Sequence, residues 1–264
     1  GKTTLSKIIM RAVSADSGSV HYTDNDGSID VLSLNERSLI DFRKKIQFIF
    51  QDPFSSLNPR MTVFDIISEP LVIHNIGDHE FRVKMVRELI NLVGLDIRHL
   101  NRYPHSFSGG QRQRIGIARA LALKPRVLIC DEPVSALDVS IQAQVLNLLK
   151  DLKDQLALSY LFISHNLAVI DYIADDVAVM CAGRIVEKAP RAELFKNPMH
   201  PYTKALFSAV PSPSLDTRLD FKSIMDDRCS NPAEWEYPFT ITDSTPTKML
   251  NTGSEHLVRV HESL

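Results

Sequence analysis

The chain contains no apolar run that reaches the roughly 18 residues needed to cross a bilayer. Cysteine is scarce: Cys130, Cys181 and Cys229 are the three in 264 residues, far apart and without a C-x-x-C pair. That argues against a disulfide framework and a zinc site, and it fits a reducing compartment. Cys130 and Cys181 lie in apolar runs and read as small buried hydrophobes. An excess of one charge is missing too. The 30 basic and 32 acidic residues leave a formal net charge of -2, so nothing points to a broad nucleic-acid surface. No signal-peptide pattern is visible in the opening residues, and no internal repeat runs through the chain. What is present is ordinary for a soluble globular protein: 44% hydrophobic and 23% charged residues. The length suffices for a sizeable core, as one large domain or a domain with a subdomain.

Hydrophobic periodicity predicts a helix from Thr3 to about Val13, with Leu5, Ile8, Ile9 and Ala12 on one face. A hairpin follows, with Gly18–Tyr22 and Gly27–Leu32 as its arms and Asp24-Asn-Asp-Gly27 as its turn. A short helix near Leu39–Lys44 precedes a strand at Ile46–Phe50. From Asp52 to about Lys124 the pattern is helical, with helices expected at Val63–Ile73, Phe81–Val93 and Ser108–Leu123. Strands return at Val127–Cys130, Tyr160–Ile163 and Val177–Cys181, and Gly183-Arg184 turns into Ile185–Glu187; a long amphipathic helix runs through Ile141–Leu152. Alternating strands and helices with near-continuous apolar strands predict a parallel sheet covered on both faces. Beyond Pro211 the prolines and weak periodicity suggest an appendage or partly extended tail.

Several polar residues share one position. Gln51, Asp131-Glu132 and His165 each lie at, or within two residues of, the carboxyl end of a predicted apolar strand. In open α/β sheets that crevice is where ligands bind. Singly, Gln51 reads as a turn residue and His165 as structural; together they converge. The opening Gly1-Lys2-Thr3-Thr4 matches the last part of G-x-x-x-x-G-K-[ST], whose backbone N–H groups cradle phosphates at a helix N-terminus. There Lys2 would neutralise phosphate charge, Thr3 would ligate Mg²⁺, and Thr4 would reach the α-phosphate. A lysine and two threonines also begin a helix by chance. Ser108-Gly109-Gly110-Gln111 reads as a capping box, with Ser108 as N-cap and Gln111 at N3. Capping does not account for two glycines in a first helical turn, where they cost stability. Close approach to an anionic ligand would.

In this order the motifs resemble those of ATP-binding cassette (ABC) ATPases, over roughly residues 1 to 210. The resemblance implies an α/β P-loop NTPase of ABC type, with a parallel sheet, an antiparallel edge hairpin and an inserted helical subdomain. Residues 1–52 and 125–196 would form the RecA-like ATP-binding core, 53–124 the helical subdomain and 197–264 a C-terminal extension. The chain would begin inside its Walker A loop, truncated at the N-terminus. Asp131 resembles the Walker B aspartate that holds Mg²⁺, and Glu132 the general base acting on the attacking water. Gln51 resembles the Q-loop glutamine, which senses Mg²⁺, and His165 the switch histidine, which contacts the γ-phosphate. Phe107 to Arg114 resembles the signature motif, with Phe107 where leucine is usual, and Ser135–Asp138 the D-loop. The family pattern then implies ATP and Mg²⁺ bound at composite sites of a head-to-tail homo- or heterodimer.

Gln51–Pro59, Pro133–Ser140 and above all Asn197–Leu206, with its His200-Pro201-Tyr202, resemble the oligopeptide/dipeptide importer ATPases. Partners implied are transmembrane permease subunits and, indirectly, a solute-binding protein, with no nucleic acid. The location implied is peripheral, on the cytoplasmic face of the cell membrane. Peptides, nickel and glutathione-like solutes all remain open as cargo. Some relatives carry a tail cysteine cluster for iron–sulfur; with Cys229 alone, none is expected. Two other readings stay open: a non-catalytic fragment or assembly partner, and a soluble ABC ATPase acting outside transport.

Overall fold

The computed structural model describes residues 1–208, 231–242 and 245–264. Pro211, Pro213 and Cys229, which weighed in the reading of the tail, lie outside the described residues. The chain divides into two compact units, Thr3–His165 and Gly1–Lys2 with Asn166–Leu264.

Helix α1 (Lys2–Ile9), which lies in the first unit from Thr3 on, is shorter than its periodicity predicts. It ends because Arg11 turns into the left-handed region at φ 50°. Strands β1 (His21–Asp24) and β2 (Gly27–Asp30) form the expected hairpin around Asn25-Asp26. Helix α2 (Glu36–Lys45) is capped by Asn35, whose side chain accepts the Ser38 N–H at 2.9 Å. It runs directly into strand β3 (Ile46–Ile49). Strands β4 (Val127–Asp131) and β5 (Ser159–Ile163) complete a parallel sheet of order β3-β4-β5. Ile49 pairs with Cys130, Cys130 with Phe162 and Asp131 with Ile163, so the three carboxyl ends are level. Leu128, Ile129 and Cys130 are fully buried, as a strand covered on both faces requires. Burial pushes the Cys130 thiol pKa up, in keeping with an inert core residue.

The helical stretch matches its expected boundaries closely. Helix α3 (Val63–Ile73) starts with a capping box between Thr62 and Asp65. Asp78 caps helix α4 (His79–Leu92), and Ser108 caps helix α5 (Gly109–Leu121). Helix α6 (Val139–Leu156) packs Val145, Leu146, Leu149 and Leu152 inward, and Ala157 ends it in the left-handed conformation.

The second unit corrects the sequence reading in two places. Strands β6 (Asp176–Cys181) and β7 (Arg184–Pro190) do not extend the parallel sheet; they pair antiparallel. The reason is the two-residue turn Ala182-Gly183, whose positive φ of 46° and 80° gives a turn that matches the right-handed twist of a tight hairpin. The tail is also more than an appendage or partly extended segment. Its strands β8 (Thr247–Asn251) and β9 (Leu257–His261) give a sheet of order β6-β7-β9-β8. Val258 and Val260 alternate inward along β9. The unit also holds helices α7 (Leu167–Ile173), α8 (Arg191–Lys196) and α9 (Pro201–Ser208).

A buried carboxylate ties these pieces together. Glu187 on β7 is fully buried and accepts three hydrogen bonds. The Met199 N–H donates at 2.7 Å and the His200 N–H at 3.1 Å; His256 Nε2 lies 2.6 Å from Oε1. His200 in turn caps α9, its Nδ1 accepting the Tyr202 N–H at 3.1 Å. Its ring sits edge-on to Trp235 and Phe239, with centroids 4.6 and 5.1 Å away. The His-Pro-Tyr element is therefore both a proline-started helix and a core contact.

Burial, which outweighs the opposing charge of Glu187 and is aided by Arg259, lowers the His200 pKa from 6.5 to about 4. The fold thus favours neutral imidazole. Its contribution to stability is complete above pH 6.5 and is lost as pH falls toward about 4. Chemical denaturation between those limits should show stability falling with acidification, and His200→Asn should flatten that slope. An unchanged slope in the variant would assign the pH dependence to other groups.

Candidate functional site

The level carboxyl ends of β3, β4 and β5 bring the strand-end residues together. Glu132 is the first residue beyond β4, and its N–H donates to the Ile163 carbonyl at 2.9 Å. It does so at φ 48°, a left-handed conformation that costs a non-glycine residue about 1 kcal/mol or more. Its side chain, 18% exposed, lies between two neighbours. Gln51 Nε2 donates to Oε2 at 3.1 Å, and His165 Nδ1 is 3.0 Å from Oε1. The loop that presents Gln51 is shaped by Asp52, whose carboxylate accepts the Phe54 and Ser55 N–H groups at 2.8 and 3.3 Å. Those bonds, the Phe54 one foremost, hold the Asp52 carboxyl below the usual carboxylate range.

Asp131, only 4% exposed, faces Thr3, whose hydroxyl donates to Oδ1 at 3.3 Å. Among the described residues no cation lies within ion-pair reach of this buried carboxylate to balance its charge. A hydroxyl and a carboxylate oxygen are the donors that Mg²⁺ takes, with phosphate and water oxygens completing its shell. Among the described residues no cluster of three His, Cys, Asp or Glu side chains can hold a metal alone. The fit is therefore to a cation that shares its shell with a ligand. Gly1, Lys2, Thr3 and Thr4 are exposed, and α1 opens at Lys2, so its first N–H groups are available to an anion.

The Ser108–Gln111 segment forms the capping box in full. The Ser108 N–H donates to Gln111 Oε1 at 3.1 Å and the Gln111 N–H to Ser108 Oγ at 3.4 Å. Packing adds a reason for the glycines that the sequence did not reveal. A Cβ on Gly110 would meet Ile141 Cγ2 at 2.3 Å, and one on Gly109 would meet Leu137 Cδ2 at 3.1 Å. The start of α5 is thus pressed against the loop and first turn of α6. Asp138, exposed, precedes α6 without a side-chain capping bond. No hydrogen bond among the described residues joins Ser108–Gln111 or Asp138 to the Glu132 cluster.

Sequence reasoning missed an aromatic–arginine surface beside Gln51. Phe50 and Phe54 are 50% and 56% exposed. The Arg112 guanidinium lies 4.1 Å from the Phe54 ring centroid and that of Arg119 lies 6.0 Å from Phe50. Arg119 also donates to the Ser56 carbonyl at 2.7 Å, and burial lowers its pKa. The spacing of Arg112 and Arg119, two turns apart on α5, was the available signal.

Comparison with known proteins bears on this geometry. The family model described as ABC transporter matches residues 1–135, and that described as oligopeptide/dipeptide transporter, C-terminal region, matches residues 186–231. The oligopeptide transport ATP-binding protein OppF of Bacillus subtilis is 52% identical over 217 residues, covering 82% of this chain and 70% of that protein. The OppF protein of Streptococcus mutans is 51% identical over 214 residues, covering 81% and 68%. A dimeric post-hydrolysis structure of the ATP-binding cassette MJ0796 bound to ADP and Pi superposes with a TM-score of 0.62 at 30% identity. It covers 72% of this chain and 81% of that one.

The glycine contacts predict unequal outcomes for two neighbouring substitutions. Gly110→Ala should lower stability by about 1–3 kcal/mol, because Ile141 is stiff at its branched carbon. Gly109→Ala should cost less, since the end of Leu137 can turn aside. Thermal melts of the two variants test this, and equal melting temperatures would contradict it.

Proposed function

The chain belongs to the ABC transporter family of ATP-binding proteins, and on that premise we propose that it energises import of oligopeptides or dipeptides by hydrolysing ATP at the carboxyl ends of β3, β4 and β5. The supporting observation is Glu132 held between Gln51 and His165, next to the Thr3–Asp131 pair. Glu132 is the general base. Its two oxygens accept one hydrogen bond each, and a carboxylate has about four acceptor positions, so two remain for an attacking water. His165 and Gln51 fix the carboxylate so that the water is aligned before reaction, which is most of what phosphoryl transfer asks of a protein. Lys2, the N–H groups opening α1 and Thr4 receive the phosphates. Thr3 and Asp131 would hold Mg²⁺, which when bound neutralises phosphate charge.

Cassettes of this family dimerise and work with permease subunits. In our reading Ser108, Gly109, Gly110 and Gln111 of one subunit cap the ATP held by the other, with Asp138 at the dimer contact. Val139, 82% exposed immediately after Asp138, supports a surface covered on assembly. The exposed Phe50 and Phe54 beside Gln51 support the same region as the permease docking face, coupling Gln51 to transport. Residues 1–52 and 125–196 then act as the ATP-binding core, 53–124 as the helical subdomain and 197–264 as the importer-type extension. No described helix is long and apolar enough to cross a membrane. Peripheral attachment at the cytoplasmic face follows from the permease contact in this reading.

Two variants test it. Glu132→Gln should reduce ATP turnover at least about 100-fold while ATP still drives dimerisation in size-exclusion chromatography. Unchanged turnover would remove Glu132 from the general-base role. Ser108→Arg should block hydrolysis only at the site of the opposite subunit, so mixed dimers with wild type should keep about half activity. Full activity in the homodimeric variant would exclude composite sites.

A further inference from the structure

The second unit contains a cavity of about 400 Å³ between the β6–β7 turn and residues 231–242. None of the residues assigned to ATP lines it. Its volume lies in the range that small-molecule sites occupy. Val186, Trp235 and Ile241 give it a buried apolar wall. Among the described residues, Arg184, half-buried, is the charged group on its lining, and no carboxylate lines it. Asn231 is already engaged with Glu234 and with the Ala233 N–H.

Arg184 is also short of a counter-charge. Among the described residues neither Arg184 nor Arg259 forms an ion pair. Arg259 spends its donors on neutral oxygens, the Ile185 carbonyl at 2.6 Å and Thr247 Oγ1 at 2.9 Å. The two guanidiniums are close enough that the charge of Arg184, after burial, lowers the Arg259 pKa. Two neighbouring cations with an apolar cavity beside them favour an anion. A guanidinium offers paired donors that match a carboxylate. One guanidinium on the lining balances one negative charge, and the ammonium of an amino acid would find no carboxylate among the described lining residues. We propose that this cavity binds a small organic monocarboxylate with an apolar body, its carboxylate on Arg184 and its body against Val186, Trp235 and Ile241.

Trp235 is the single tryptophan of the chain and is 5% exposed, so its emission reports on the site directly. The experiment titrates 4-phenylbutyrate into the full chain with excitation above phenyl absorption. The uncharged 4-phenylbutyramide and inorganic phosphate serve as comparators. A saturable emission change is expected, with a Kd of about 1 mM or tighter. Arg184→Gln should weaken binding about tenfold or more. Ala233→Phe, which fills the lining from its exposed side, should abolish it with Arg184 intact. Three results would each overturn the proposal: no saturable change, an equal response to the amide or to phosphate, or undiminished binding in a folded Arg184→Gln. If Arg184→Gln fails to fold, undiminished binding in Ala233→Phe overturns it instead. ATP turnover plays no part in the readout.

Discussion

One backbone hydrogen bond, from the Glu132 N–H to the Ile163 carbonyl, carries the parallel ladder a residue past the end of β4. Making it with Glu132 at φ 48° turns the side chain across the sheet end, toward the loops that follow β3 and β5. Without the level register of the three strands, Gln51 and His165 would not reach the same carboxylate. The strain at Glu132 is held by that register and by the apolar strand β4 beneath it, fully buried at Leu128, Ile129 and Cys130. The site therefore owes its geometry to the sheet more than to its own polar contacts, three of which are 3.0 Å or longer.

The second unit is organised by a different kind of constraint. Glu187 is buried, and among the described residues it has no lysine or arginine partner. Backbone N–H groups of Met199 and His200 and the ring of His256 satisfy it. Such a carboxylate fixes three chain segments at once, because each donor it holds would otherwise be orphaned in the core. The start of α9, the β7 strand and the loop before β9 meet there. Trp235 then closes over His200. The polar hub and its aromatic cover explain why a His-Pro-Tyr sequence belongs at this point of the chain.

Much of the first unit was legible in the sequence, and the reason is local. Buried parallel strands read as apolar runs, and the polar residue that ends each run marks the sheet edge; Gln51, Asp131, Glu132 and His165 were found that way. Ser108 and Gln111 announced a helix start through a three-residue spacing. What escaped depended on distant partners. The need for glycine at position 110 comes from Ile141, which no spacing rule connects to it. Glu187 and His256 are 69 residues apart, and neither stands out in its own segment. The turn between β6 and β7 was legible at Gly183-Arg184, but their antiparallel pairing was not, because the apolar Val177–Cys181 strand resembles the parallel ones. In the tail, prolines and polar residues obscured the Leu257-Val-Arg-Val260 alternation that places β9.

The pairing of β7 with β9 has a consequence for how the molecule is made. Every strand of the first sheet, and every donor of the Glu132 cluster, has been synthesised once residue 165 leaves the ribosome. The second sheet must wait for residues 257–261, because β7 has no neighbour on that side until then. During that interval Glu187 is without His256, and the inner edge of β7 presents unpaired backbone groups. Synthesis thus imposes an order, first unit before second, and it makes the span between β7 and β9 the period in which the nascent chain is most exposed to wrong pairing.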